Sequence, residues 1–347
     1  MADRHSWPAP ALPPARATRR QALAALGAAA AACSPLAARA APTTLQCAGA
    51  YADSLFHTRN LQQFARQASQ SSQGAVQVEV VANAKLMPMK QVLAALGSGD
   101  LAMGEIFMSN FAQELPLLGV DSLPFIVRSF DDAKRLWNVT RQPISALLHK
   151  QGIRVLYTAP WPGQGLYARA PVNRLEDLKG QKLRVNNGAT TFMAKAAGAT
   201  PVDIPANNLA RAIQDGEVDA MVTSSTTGVD SQSWNALGVF VDMRAWIPKN
   251  LVLMSEKRWA ALPETARQAL QAAASDAEAR GWQLAQDADD AAQRILASHG
   301  TKITQPSYEL RRSLDLLGER FARDWSGKVG VDGARVLIDY YAGAHKG

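Results

Sequence analysis

Two cysteines in 347 residues, Cys33 and Cys47, leave little room for a disulfide framework. Only Cys47 lies beyond residue 40, so the chain after that point must be held by large apolar cores rather than by cross-links. Cys47 sits in the strand-like run TTLQCAGAY, where a small buried core residue is expected rather than a nucleophile. Long hydrophobic runs are missing as well: past residue 40 nothing approaches the ~18 apolar residues that a membrane helix needs. No C-x-x-C, H-E-x-x-H, G-x-S-x-G, G-x-G-x-x-G or G-x-x-x-x-G-K spacing occurs. Metal sites, nucleophile elbows and phosphate loops of the common enzyme classes therefore have no support, and neither a cofactor nor a metal is expected. His57, His149, His299 and His345 are scattered along the chain. Basic blocks with interleaved aromatics are absent, which removes the usual footprint of a nucleic-acid partner.

The formal charge of +7 is misleading. Residues 1–40 hold five arginines and one aspartate, leaving only +3 on the remainder. That segment has a basic start (Arg16, Arg19, Arg20), an apolar run of about a dozen residues from Ala22 to Cys33, and small residues at Ala38-Arg39-Ala40. The pattern predicts a twin-arginine-like export signal cleaved after Ala40, hence a periplasmic protein. Lipid anchoring at Cys33 is the alternative processing route.

Beyond the signal, strand and helix patterns alternate. Strands are expected at 44–48, 75–81, 100–107, 153–159, 165–168, 182–185, 200–203 and 218–223, with two more in LGVFVDM and NLVLMS. Helices are expected at 57–71, 89–99, 129–152, 190–197 and 206–214. A long Ala-rich helix follows at 263–298, and further helix runs to the C-terminus. Ser129 and Asp132 form the opening of one helix, Pro263 of the long one. Asp131-Asp132 and Asp287, Asp289 and Asp290 are expected on solvated helix faces. Repeated β-α-β units imply an α/β fold in two lobes. One lobe comprises 42–162 plus 252–290, the other 163–251 plus 291–347, with ligand binding expected in the cleft between them.

Candidate site residues lie at strand ends. Leu183 and Val185 alternate with Arg184, so Arg184 faces away from them beside Asn186 and Asn187. It is either a solvated cation or the receiver of an anion. Trp161 and Gln164 lie on the Gly/Pro-rich turn between lobes. Glu105 and Asn110 follow one strand, Thr223 and Ser224 another, and ligands in open α/β sheets bind at such ends. Structural roles stay open for each: packing for Trp161, helix capping for the Ser/Thr run, a protein partner for Glu105.

The segment LEDLKGQKLRVNNGATTFMAKAAGATPVDIPANNLARAIQDGEVDAMVTS resembles the DctP-type solute receptors of tripartite ATP-independent periplasmic (TRAP) transporters. The matching pieces are Pro171-Val172, DLKGQKLRV (177–185), Gly198-Ala199-Thr200-Pro201 and Gly216-Glu217-Val218-Asp219. SLPFIVRSFDDAKRL (122–136) and SEKRWAALPETARQAL (255–270) add to them, and the resemblance extends over 44–340. It implies a two-lobe periplasmic binding protein fold with strands crossing between lobes and a long helix spanning both. It also implies a non-enzymatic, more often monomeric receptor that delivers an organic acid to an integral-membrane TRAP permease. Within the family, the arginine at the position of Arg184 pairs with the ligand carboxylate. Sialate-type members carry a second arginine where Gln164 stands and an asparagine where Thr223 stands. ANNLA (206–210) replaces their aromatic segment. The expected ligand is therefore a small monocarboxylate, pyroglutamate-like acids included, with Gln164, Glu105 and Asn110 against its polar remainder. A hydrolase or lyase on the same scaffold, or a receptor for a sensor protein, are the competing readings.

Overall fold

The computed structural model describes residues 42–344. The export signal, the Cys33 alternative and His345 lie outside the described residues. The first half runs β1 (Thr43–Ala48), α1 (Phe56–Ser71), β2 (Val76–Val81), α2 (Met89–Ser98), β3 (Met103–Phe107), α3 (Phe130–His149) and β4 (Ile153–Pro160). Three residues later comes β5 (Gln164–Ala168), then β6 (Lys182–Val185), α4 (Gly188–Ala196), β7 (Thr200–Asp203), α5 (Leu209–Gln214), β8 (Ala220–Ser224), α6 (Ser225–Asp230) and β9 (Val239–Val241). The chain ends with β10 (Lys249–Ser255), α7 (Glu256–Ala260), α8 (Glu264–Ser298), β11 (Lys302–Thr304), α9 (Tyr308–Val329) and α10 (Val331–Ala344).

The strands form two mixed sheets, ordered β2-β1-β3-β10-β4 and β11-β9-β5-β8-β6-β7. In the first, β1 is parallel to β2 and β3, while β10 runs antiparallel to β3 and β4. In the second, β6 is parallel to β7 and β8, and β5 is antiparallel to β8 and β9. The chain passes between the sheets over Trp161–Gly163 and again between β9 and β10. The anticipated lobe division placed 163–251 and 291–347 together. Lys249, Asn250 and Leu251, however, pair within the first sheet, and Trp325, Val336 and Tyr340 fill its core. Leu310, Leu314 and Leu317 of α9 pack in the core of the second sheet, so the C-terminal helices straddle both.

Small residues explain how α8 spans the molecule. Ala266, Ala269, Ala273, Ala277, Gly281, Ala285 and Ala292 recur at helical spacing on its buried side. A Cβ at Gly281 would lie 3.0 Å from the Ala159 side chain, so glycine fits this close approach of α8 to β4, and a larger residue would make the neighbours give way. Asn60 Nδ2 donates to the Ala277 carbonyl at 2.9 Å, which ties α8 to α1. Asp289 corrects the expectation of a solvated acidic face. It is buried and accepts Ser225 Oγ at 2.6 Å, anchoring α8 to α6 of the second sheet.

Two helix readings also change. The 206–214 helix begins as a 3-10 turn at Ala206–Asn208, and the C-terminal helix breaks at Gly330, where φ is +76°. The Ser129 cap is present, accepting the Asp132 N–H. Cys47 is buried, and burial pushes its thiol far up, which keeps it protonated and unreactive.

Candidate functional site

Leu183 and Val185 turn into the second core, and the intervening Arg184 points the other way. Arg184 is nonetheless only 2% exposed, so it is not a solvated cation. Its Nε donates to the Ile204 carbonyl at 2.9 Å, and among the described residues no carboxylate lies within salt-bridge distance. Burial lowers its pKa to about 10, with Asp203 opposing the shift, so the guanidinium remains charged at neutral pH. A buried, unpaired guanidinium retains a planar fork suited to a carboxylate.

Facing elements supply an aromatic box. Tyr51, Leu55, Phe107 and Trp161 form a small apolar cluster separate from the main cores, with Met89 packed against it. Tyr51 and Trp161 meet edge to face with ring centroids 5.1 Å apart, and His57 lies under Trp161 at 4.1 Å. Asn250 ties the box together. Its Oδ1 accepts Trp161 Nε1 at 2.8 Å and the Tyr51 hydroxyl at 3.2 Å, while its Nδ2 donates to Glu105 Oε1 at 2.8 Å. Glu105 Oε2 is buried with no hydrogen-bond partner. Burial raises the Glu105 carboxyl to about 7, against the lowering effects of the Asn250 amide and the nearby Ala50 N–H. Tyr51, whose hydroxyl burial holds in its protonated form, lies within electrostatic reach of both Glu105 and Arg184.

The other expected residues divide. Gln164 is buried and donates through Nε2 to the Pro162 carbonyl, leaving its carbonyl oxygen as the free polar atom. Thr223 is buried beside it, opposite Gly165 in the β5–β8 pair. Asn187 caps α4 through Oδ1 and donates through Nδ2 to Ser109 Oγ at 3.1 Å, bridging the two sheets' loops. Ser224 is occupied as the cap of α6, accepting the Thr227 N–H. Asn110 is exposed and reaches back to Met89 Sδ at 3.5 Å, at the rim of the box. Tyr51, His57 and Asn250 were missed. A polar residue opening the otherwise apolar strand NLVLMS was the available signal for Asn250.

Two further contacts join the two halves elsewhere: Ser54 Oγ to Asp230 at 3.3 Å and Lys90 to Asp203 at 3.7 Å. Both members of the ion pair are well exposed, so its contribution is small. Arg169 and Arg211 are paired at the surface with Asp219 and Asp215. A groove of about 650 Å³ opens elsewhere, between α3 and α8 along β4, walled by Trp137, Trp259 and Trp282. It shares no residue with the Arg184 site.

Residues 49–316 match the family model for bacterial extracellular solute-binding proteins, family 7 (DctP). The crystal structure of DctP7, a Bordetella pertussis extracytoplasmic solute receptor binding pyroglutamic acid, is 34% identical. It covers 86% of this chain and 99% of that one, with a TM-score of 0.84. A marine metagenome TRAP solute-binding protein specific for pyroglutamate is 30% identical over 87% of this chain and 99% of that one, with a TM-score of 0.85. A solute-binding protein of Albidiferax ferrireducens is 27% identical over 258 residues, 73% of this chain and 76% of that protein. With the family model spanning most of the chain and the two-sheet architecture matching throughout, the protein belongs to the DctP family of bacterial extracellular solute receptors.

Proposed function

We propose that the protein captures a small monocarboxylate of the pyroglutamate type between its two sheets and hands it to a TRAP membrane permease. The observation that carries this reading is Arg184, a buried cation without a carboxylate partner among the described residues, beside an aromatic box that Asn250 links to the neutralisable acid Glu105. The ligand carboxylate forks onto Arg184, a flat ring lies against Trp161 and Phe107, and a ring N–H meets Glu105 Oε2. Gln164 contributes its free carbonyl oxygen. The relatives named for pyroglutamate support the same ligand class.

Charge decides against dicarboxylates. Among the described residues Arg169, Arg211 and Arg244 are paired with Asp219, Asp215 and Asp242, and buried Lys249 is under the charge of Asp121, so a second carboxylate would face Glu105 without a free cation to receive it. In a thermal-shift screen L-pyroglutamate is expected to stabilise the protein. At a thousandfold excess over Kd the gain is about 4 kcal/mol. Succinate and sialic acid are expected to leave the transition unmoved, and stabilisation by succinate above every monocarboxylate would overturn the assignment.

The ligand favours approach of the two sheets only through contacts it makes better in the closed arrangement. The crossings at Trp161–Gly163 and before β10 are the natural hinges, and α8 and α9, which pack against both sheets, must bend with them. Export follows from the N-terminal signal, with Ala41 as the first residue of the mature chain. The mass of the exported protein reads this directly, and a lipid-modified Cys33 would contradict it.

A further inference from the structure

We propose that Asn250 sets the hydrogen-bond polarity of Glu105 and thereby makes the receptor select ligands that present an N–H or O–H donor beside the carboxylate-bearing carbon. This rests on the reading that Glu105 Oε2 meets the ligand. The chain of constraint starts at Trp161. An indole N–H can only donate, so the Asn250 atom 2.8 Å from Trp161 Nε1 must be the amide oxygen. The Tyr51 hydroxyl donates to the same oxygen. The Asn250 NH2 is thereby turned toward Glu105 and donates to Oε1. Glu105 Oε1 must accept, and Oε2, which has no partner in hydrogen-bond geometry although the Ala50 N–H lies near the carboxyl, is left as the atom that addresses the ligand. Asn250 is fully buried in β10, between β3 and β4, so the amide has no water with which to exchange its partners. Asn250 does not touch the ligand in this arrangement; it is a positioning residue that acts through Glu105.

The ordering has an unusual consequence for isosteric substitutions. In Glu105→Gln, Asn250 still donates toward the Oε1 position, so the glutamine oxygen must occupy it. Its NH2 then takes the place of Oε2 and turns an acceptor into a donor. Adding Asn250→Asp reverses this. An aspartate oxygen now faces the glutamine and can only accept, so the glutamine NH2 turns toward it and its oxygen faces the ligand again. The probes are L-pyroglutamate and its ring-oxygen analogue 5-oxotetrahydrofuran-2-carboxylate, which is the same size and lacks the N–H. Calorimetric titrations at about pH 8.5 keep the wild-type carboxyl ionised.

The wild type is expected to prefer pyroglutamate by about 100-fold, the discrimination of a buried polar group left unpaired. Glu105→Gln is expected to bring this ratio below unity, and Glu105→Gln with Asn250→Asp to restore a ratio above ten. A uniform loss of packing weakens both ligands alike and leaves the ratio unmoved. If Glu105→Gln keeps the wild-type ratio, Oε2 does not meet the ligand, and the inference falls with the reading beneath it. If the ratio inverts but Asn250→Asp does not restore it, the Glu105 contact stands and the role of Asn250 is wrong. Should the double variant fail to fold, Trp161→Phe in the Glu105→Gln background decides. Without the indole N–H the amide is free to turn, so the inverted ratio should relax to near unity, and a ratio that stays inverted contradicts the proposal.

Discussion

Arg184→Ala is expected to abolish measurable capture of pyroglutamate at micromolar protein, losing about 2–5 kcal/mol of binding free energy. The loss is large because, among the described residues, the other fully buried cation, Lys249, is already under the charge of buried Asp121. Arg184→Lys is expected to recover only part of it, since a lysine supplies the charge without the two-pronged fork. The unliganded variant should behave opposite to a structural arginine. Arg184 is buried without a carboxylate partner, so its removal relieves a desolvated charge and sacrifices one bond to the Ile204 carbonyl. Arg184→Ala should therefore melt at or above the wild-type temperature in the absence of ligand. Calorimetry and a melting curve on the same sample separate the two effects, and a variant that binds normally or melts well below wild type would contradict the assignment.

Acid should destabilise the protein through a residue beneath the site. His57 is buried under Trp161, and neither ring nitrogen has a hydrogen-bond partner; the Ala159 and Pro160 carbonyls approach without bonding geometry. Burial lowers its pKa from 6.5 to about 3. The unfolded chain therefore binds a proton on this side chain between those values while the folded chain does not. Its share of stability is complete above pH 6.5 and is lost as pH falls toward 3, at about 1.4 kcal/mol per unit. Over the whole window this amounts to roughly 4–5 kcal/mol. Two acids work in the opposite direction. Glu105 is raised to about 7 and Asp121 to about 6, so each favours the folded state as pH drops through its own interval. The comparison must therefore be between wild type and His57→Phe. Denaturant unfolding from pH 7 to 4 should show the wild type losing stability relative to His57→Phe, and parallel curves would show that His57 is not held neutral.

The readable parts of this molecule were local. Leu183-Arg184-Val185 announced a strand with its cation turned away from the core, and that orientation is present. Ser129 and Pro263 marked helix starts because capping depends on a few neighbouring residues. The Asn250 network was not legible for the converse reason. Tyr51, Glu105 and Trp161 meet Asn250 across 199, 145 and 89 residues of chain, and no periodicity encodes such meetings. Asp289 was misread because a carboxylate on an alanine-rich helix looks solvated until the sheet that covers it is known. Ser224 and Asn187 lie at strand ends, as expected, yet their oxygens cap helices, a competing use of the same residue types.

The most direct test of the central claim is a crystal structure of the protein with L-pyroglutamate. The account predicts the ligand carboxylate on the Arg184 guanidinium, two N–H···O bonds of about 2.8 Å, with the ring against Trp161 and its N–H at Glu105 Oε2. A carboxylate bound away from Arg184, or a ligand seated in the groove between α3 and α8, would contradict it.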